Sequence, residues 1–242
     1  MRYLVKVSYD GTRYGGWQIQ PDAISIEEEI EKVLSKLLNT LVKIYGSGRT
    51  DAGVHAHGQT FHFDSPKELD IDKFRYSFNC LLPADIHALY IEKKNDDFHA
   101  RYDVKSKRYD YLINVGEYDP FLDHHVYQLG RPLDIDKMKE TSKMFVGEHN
   151  FQNFTSKEED QSNFVRNIYS IDISLDKNII KISFVGNGFM KYMVRMLVGT
   201  LIEIGLGRIT SSYIDENLDK KERKVTSYKA PSEGLYLEEV TY

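Results

Sequence analysis

The chain has 242 residues and carries 32 Lys and Arg against 37 Asp and Glu, a formal net charge of −5. That length supports one large or two small domains with a true core, and 41% hydrophobic with 29% charged residues excludes both intrinsic disorder and a minimal stapled scaffold. A single cysteine, Cys80, excludes an internal disulfide framework, and the acidic balance argues against nucleic-acid binding unless a local basic patch provides it.

The N-terminal MRYLVKVSYDG enters a strand pattern directly, with Tyr3, Val5 and Val7 alternating and a turn at Asp10-Gly11. No signal-peptide architecture precedes it, so a cytoplasmic protein is expected. Ser25 and Glu28 form a capping box, and Ile26, Ile30, Val33, Leu34, Leu37, Leu38 and Leu41 recur at helical steps behind it. A short strand is expected at Val42 to Tyr45, then a glycine-rich loop, then a second strand at Gln59 to Phe63.

Asp70 or Asp72 caps a second helix with Phe74, Phe78, Leu81 and Leu82 inward, stopped before Pro83. Ile86 to Lys93 follows as a strand. Between His99 and Arg108, His99, Arg101, Lys105, Lys107 and Arg108 face a single acid, Asp103. This run reads either as a solvated linker or as a basic patch, and Tyr102, Tyr109 and Tyr111 beside it suit nucleotide stacking. Tyrosines at alternate positions are equally one face of a sheet.

Beyond the run the order of elements repeats. Tyr109 to Val115 reads as a strand, Asp136 to Val146 as a helix, and Tyr169 to Ser174 with Ile179 to Phe184 as a hairpin around Asp176-Lys177-Asn178. Thr155 to Asn163, TSKEEDQSN, is a polar insertion with the composition of a mobile surface loop. Tyr192 to Ile204 is a long apolar helix closed by Gly205 and Gly207, and Leu235 to Tyr242 is a last strand. Its apolar run, Phe189 to Leu206, holds Lys191, Arg195 and Glu203, which excludes a membrane span.

Each half reads strand, helix, strand, strand, helix, strand. The fold class is therefore α+β, with two ferredoxin-like (βαββαβ-type) halves, 1–104 and 105–242, whose antiparallel sheets join or face one another across a central cleft.

The densest chemistry lies in IYGSGRTDAGVHAHGQTFHF, residues 44–63. Asp51 on a glycine-flanked turn, two residues after Arg49, has the setting of a nucleophile or general base; a plain Asx-turn or helix N-cap is the alternative. Arg195, among apolar helix neighbours, either snorkels or meets a carboxylate, for which Asp51 is a candidate. His55, His57 and His62 raise a metal site, which with Asp51 would make a metal-dependent hydrolase; rings stacked or hydrogen-bonded around a loop are the alternative. Ser47 lies outside any GxSxG elbow, and the glycines match neither GxGxxG nor a P-loop, so a nucleotide cofactor is not expected.

GRTDAGVHA (48–56), FHAR (98–101), KRYDYLI (107–113), GNGFMKYMVRMLVG (186–199) and GLYL (234–237) together closely resemble the tRNA pseudouridine synthase A (TruA) family, in family order and over almost the whole chain. The resemblance implies a pseudouridine synthase-like core and isomerisation of uridine to pseudouridine at positions 38, 39 and 40 of the tRNA anticodon stem-loop. It also implies a homodimer that uses no metal or organic cofactor. Asp51 matches the family's catalytic aspartate, Arg49 the arginine of base extrusion, and Arg195 the arginine paired with the aspartate. Tyr109 matches the tyrosine packed on the target base, and Leu235 a residue lining the pocket. Arg101, Lys107 and Arg108 of the basic run are the further substrate-binding candidates. A non-catalytic RNA-binding module is the remaining alternative.

Overall fold

The computed structural model describes residues 1–156 and 163–242. In chain order the elements are β1 (Arg2–Tyr9), α1 (Ile26–Leu38), β2 (Ile44–Gly46), β3 (His55–Asp64), α2 (Ile71–Leu81) and β4 (Ile86–Lys94). They continue with β5 (Ser106–Asn114), β6 (Tyr127–Gln128), α3 (Ile135–Ser142), β7 (Gly147–Asn150), β8 (Val165–Asp176) and β9 (Ile179–Gly186). The last are α4 (Met193–Gly205), α5 (Ser212–Asn217) and β10 (Leu235–Thr241). The polar insertion expected at Thr155 to Asn163 falls mostly on residues 157–162, outside the described residues. Among the described residues no helix is long and apolar enough to cross a membrane.

The chain divides into two compact units, Met1–Lys105 with Tyr236–Tyr242, and Ser106–Leu235. The sequence reading assigned the last strand to residues 105–242. Its residues from Tyr236 onward group with the first unit, because β10 pairs in parallel with β3, Tyr236 opposite His55 and Leu237 opposite Ala56.

In the first unit β1 lies between β4 and β3 and is antiparallel to both, and β2 pairs with β3, so the order is β4-β1-β3-β2. This is the ferredoxin-like arrangement of a βαββαβ chain. The Ser25 hydroxyl accepts from the Glu28 N–H at 3.2 Å and caps α1, which ends at Asn39 in the left-handed region. Leu41, expected on the helix, lies beyond it and is exposed. Tyr3, Val5, Phe61, Phe63, Ile30, Leu34 and Phe78 fill the core between sheet and helices, all fully buried.

In the second unit β5-β9-β8 repeats the antiparallel order, with β7 on the outer side of β8 and β6 on β5. Tyr111, Ile113, Ile180, Ile182 and Phe184 stand on one sheet face, buried as Leu197 and Leu201 of α4 are. Lys107 and Arg108, in the run read as a solvated linker or a basic patch, are the second and third residues of β5. α3 stops at Ser142 and gives way to a single 3₁₀ turn, Lys143–Phe145.

Candidate active site

Asp51 sits on the connection from β2 to β3, and the buried side chains below that loop fix it. Gln59 of β3 donates its amide to the Gly48 carbonyl at 3.0 Å and accepts from the Ser47 hydroxyl at 2.7 Å, while Ser47 N–H donates to the Thr60 carbonyl at 2.8 Å. Thr50 is buried; its carbonyl accepts from Trp17 N–H at 3.0 Å and its hydroxyl bonds the Tyr9 hydroxyl at 2.8 Å. Burial pushes the Tyr9 phenol pKa well up, so it stays protonated. On either side of buried Thr50, Arg49 is exposed and Asp51 half-buried.

The turn closes when Val54 N–H donates to the Asp51 carbonyl at 3.1 Å, with Gly53 at φ +74°. No helix follows, since β3 begins at His55, so Asp51 is not a helix N-cap. Gly16 (φ +102°) lies against the loop from behind: a Cβ there would stand 2.5 Å from the Thr50 carbonyl oxygen and 3.0 Å from the Asp51 carbonyl carbon.

The histidines take up stacking and hydrogen-bonding roles. His55 is buried, its Nδ1 accepting from Gly11 N–H at 3.1 Å with Asp10 Oδ1 3.2 Å away. Both His55 and His57 stack on the Tyr236 ring, with centroids 4.7 and 5.0 Å away, and His57 Nδ1 lies 2.9 Å from Glu238 Oε1. His62 Nδ1 accepts from Ala100 N–H at 3.1 Å, and burial pulls its pKa down to about 4. Among the described residues His55 is not grouped with Asp51 or His57 as a set of metal-ligand atoms, so the particular trio of the metal-hydrolase reading is not assembled.

Arg101 belongs to the same unit, in the turn that follows Ala100. It is exposed, its guanidinium lying 5.9 Å from the Tyr102 ring centroid. Tyr102 in turn packs tilted against His99, with centroids 4.3 Å apart.

The second unit holds the other candidates. Arg195, in the first turn of α4, neither floats nor snorkels: it is half-buried and its Nε donates to the Ala230 carbonyl at 2.8 Å, while Ala230 N–H donates to the Arg195 carbonyl at 2.9 Å. This reciprocal clip fixes the direction of the guanidinium. Tyr109 is buried and meets Phe189 edge to face at 5.3 Å.

Tyr111, two residues on, is wholly buried with its hydroxyl on the Pro231 carbonyl at 2.8 Å, so the sheet-face alternative describes it. Arg108, on the opposite face from Tyr109, makes a two-pronged pair with buried Asp110 at 3.0 and 2.9 Å. Lys107 shares Tyr109's face and is half-buried. Leu235 is buried at the start of β10, just after Gly234, whose Cβ position is filled by the Leu112 carbonyl and the Tyr111 ring.

The structure thus brings Arg49, Asp51 and Arg101 into one unit and Lys107, Arg108, Tyr109, Arg195 and Leu235 into the other. The sequence reading missed Tyr9, Gly16, Thr50 and Gln59, the supports of the Asp51 loop. Their only signal was polar residues, Thr50 and Gln59, inside a stretch that otherwise alternates toward a core.

The family model for tRNA pseudouridine synthase matches residues 6–103 and 141–242. The chain belongs to the tRNA pseudouridine synthase family. A relative named "tRNA pseudouridine synthase A 1" from Bacillus cereus is 42% identical over 243 aligned positions, covering 100% of this chain and 98% of that protein. Relatives named "tRNA pseudouridine synthase A" from Streptococcus uberis and Listeria monocytogenes serotype 4b are 40% and 42% identical, each over the whole chain and at least 98% of their own length. Among the candidates of this tRNA pseudouridine synthase, Arg49, Asp51, Arg101, Arg195 and Leu235 lie inside the model's matched segments, and Lys107, Arg108 and Tyr109 between them.

Proposed function

We propose that this family member isomerises uridine to pseudouridine at positions 38 to 40 of the tRNA anticodon stem-loop, with Asp51 as the group that acts on the sugar. The reaction breaks the C1′–N1 bond, turns the base and forms C1′–C5; the proton lost from C5 is balanced by one gained at N1, so no electron donor or cofactor enters. One carboxylate suffices, either by attack on C1′ or by removing a sugar proton on a glycal route.

The observation that carries the assignment is the clamped loop. Gln59 on one side, and Thr50 with Tyr9 on the other, fix the backbone on which Asp51 stands, so the attachment point of its carboxyl group is set before substrate arrives. Turning a uridine out of its stack costs a few kcal/mol, which Arg49 offsets by filling the gap and Tyr109 by stacking on the base. The Tyr109 ring already packs edge to face against Phe189. Arg195, held by its clip to Ala230, provides a fixed positive charge. Arg101, Lys107 and Arg108 are assigned to the RNA backbone. A tRNA substrate supports a cytoplasmic location, and the homodimer rests on the resemblance alone.

The test is Asp51→Ala. Tritium release from tRNA labelled at C5 of uridine should vanish while tRNA binding is retained, and turnover that survives the substitution refutes the role. Transcripts altered at positions 38 to 40 test the choice of site.

A further inference from the structure

The segment GNGFMKYMVRMLVG contains more than its arginine. Tyr192, at the start of α4, holds φ +62°, and around its ring stand three cationic groups: Lys229 Nζ at 4.4 Å from the centroid, Lys191 Nζ at 5.3 Å and Arg195 Cζ at 5.3 Å. Lys191 and Lys229 are exposed, and neither has an acidic partner among the described residues. Glu233 is within electrostatic reach of Arg195. In a chain whose acids outnumber its bases, 37 to 32, two exposed lysines gathered with an arginine on one ring concentrate positive charge locally.

The backbone holds this group in place. The Lys191 carbonyl accepts from the Thr155 hydroxyl at 2.9 Å, and Ala230, next to Lys229, is clipped to Arg195. Gly199 of α4 lets the Tyr228-Lys229 backbone rest directly on the helix, since a Cβ there would come 2.8 Å from the Tyr228 carbonyl carbon. The ring face favours cations near it, and the exposed Lys191 and Lys229 ammonium groups can still donate outward.

We propose that Lys191 and Lys229, gathered on Tyr192 beside Arg195, form a binding site for a backbone phosphate of the RNA substrate. The inference rests on the tRNA reading above and deepens it: an acidic protein obtains its hold on a polyanion from a small preformed cluster. The lysines supply mobile point charges, which suit the two non-bridging oxygens of a phosphodiester, where no fixed bidentate geometry is required.

The experiment measures tRNA binding between 50 and 200 mM salt for the wild type, Lys191→Gln, Lys229→Gln and the double variant, with Lys139→Gln on α3 as a surface control. The double variant should bind several-fold more weakly at the low end, with the steady-state loss in KM. Removing one phosphate contact lowers the slope of log K against log salt by about 1, so the deficit should shrink about fourfold over that range. Lys→Arg at both positions should restore the slope, and Lys139→Gln should leave it unchanged. An unaltered slope in the double variant, or a loss confined to kcat, overturns the proposal. A wild type that binds tRNA but makes no pseudouridine, while the double variant still loses slope, overturns the reaction and leaves the phosphate site supported.

Discussion

Gly16→Ala tests whether the Asp51 loop needs its support from behind. A methyl group at this position would stand 2.5 Å from the Thr50 carbonyl oxygen, and ordinary contact begins near 3.4 Å, so the loop must retreat by about 0.9 Å. The strain of a non-glycine residue at φ +102° adds about 1–2 kcal/mol and the overpacking about 1–3 kcal/mol, a total of about 3 kcal/mol. A domain with stability of about 5–15 kcal/mol remains folded after that loss.

The larger effect is on chemistry, because a displacement of about 1 Å costs up to roughly 100-fold in rate. Gly207→Ala is the control: its φ is +70° but no atom lies within 4 Å of the added methyl, so it carries backbone strain alone. Urea unfolding and tritium release measured on both variants should give Gly16→Ala a kcat about 10- to 100-fold lower, with Gly207→Ala near wild type. Equal turnover in the two folded variants would refute the view that a rigid loop positions Asp51.

His62 makes stability depend on pH. Its pKa falls from the model-peptide value of 6.5 to about 4, so the unfolded chain takes up a proton first as pH drops. The stabilisation is complete above 6.5 and is lost progressively toward 4; urea midpoints for His62→Asn should fall less than those of the wild type across that window. Tyr9→Phe leaves the buried Thr50 hydroxyl short of its 2.8 Å partner and should cost about 1–2 kcal/mol in urea unfolding, with a kcat loss below roughly tenfold. Asp110→Asn weakens the pair with Arg108, whose side chain is 40% exposed, so the cost read by thermal unfolding should be about 1–2 kcal/mol rather than the larger figure for a fully buried pair.

Local chemistry was legible where it acts over a few residues. The capping box at Ser25 predicted α1 because its hydrogen bond spans three positions, and the Asp-Lys-Asn turn predicted the hairpin between β8 and β9. β3 was read only from Gln59, since His-Ala-His-Gly has neither alternation nor strand propensity. Its first residues are strand because Tyr236, about 180 positions later, pairs with His55 and stacks on both histidines. Gly58 is there for the same reason: a Cβ would come 2.3 Å from the Glu238 carbonyl oxygen, so the glycine that weakens the strand pattern permits the close approach of β10.

α2 shows the opposite failure. Its periodicity placed Phe74, Phe78, Leu81 and Leu82 inward; Phe78 and Leu82 are buried and Phe74 stacks on Phe63 and Phe78, but Leu81 is 40% exposed, so the apolar stripe is wider than the surface that covers it.

The same reasoning separates the identity of Asp51 from its setting. The motif names the residue, but a loop that leaves one strand and enters another exposes backbone groups that must find partners, and those partners are remote: Tyr9 is 41 residues from Thr50, and Gln59 11 from Gly48. Polar side chains buried beneath a loop cost free energy unless each is bonded, so Thr50 and Gln59 would weaken the unit if the loop could move. Their burial therefore ties the unit's stability to the loop conformation, and a substitution that frees the loop should lower stability and turnover together. Asp51→Ala, which leaves those bonds intact, should lower turnover alone.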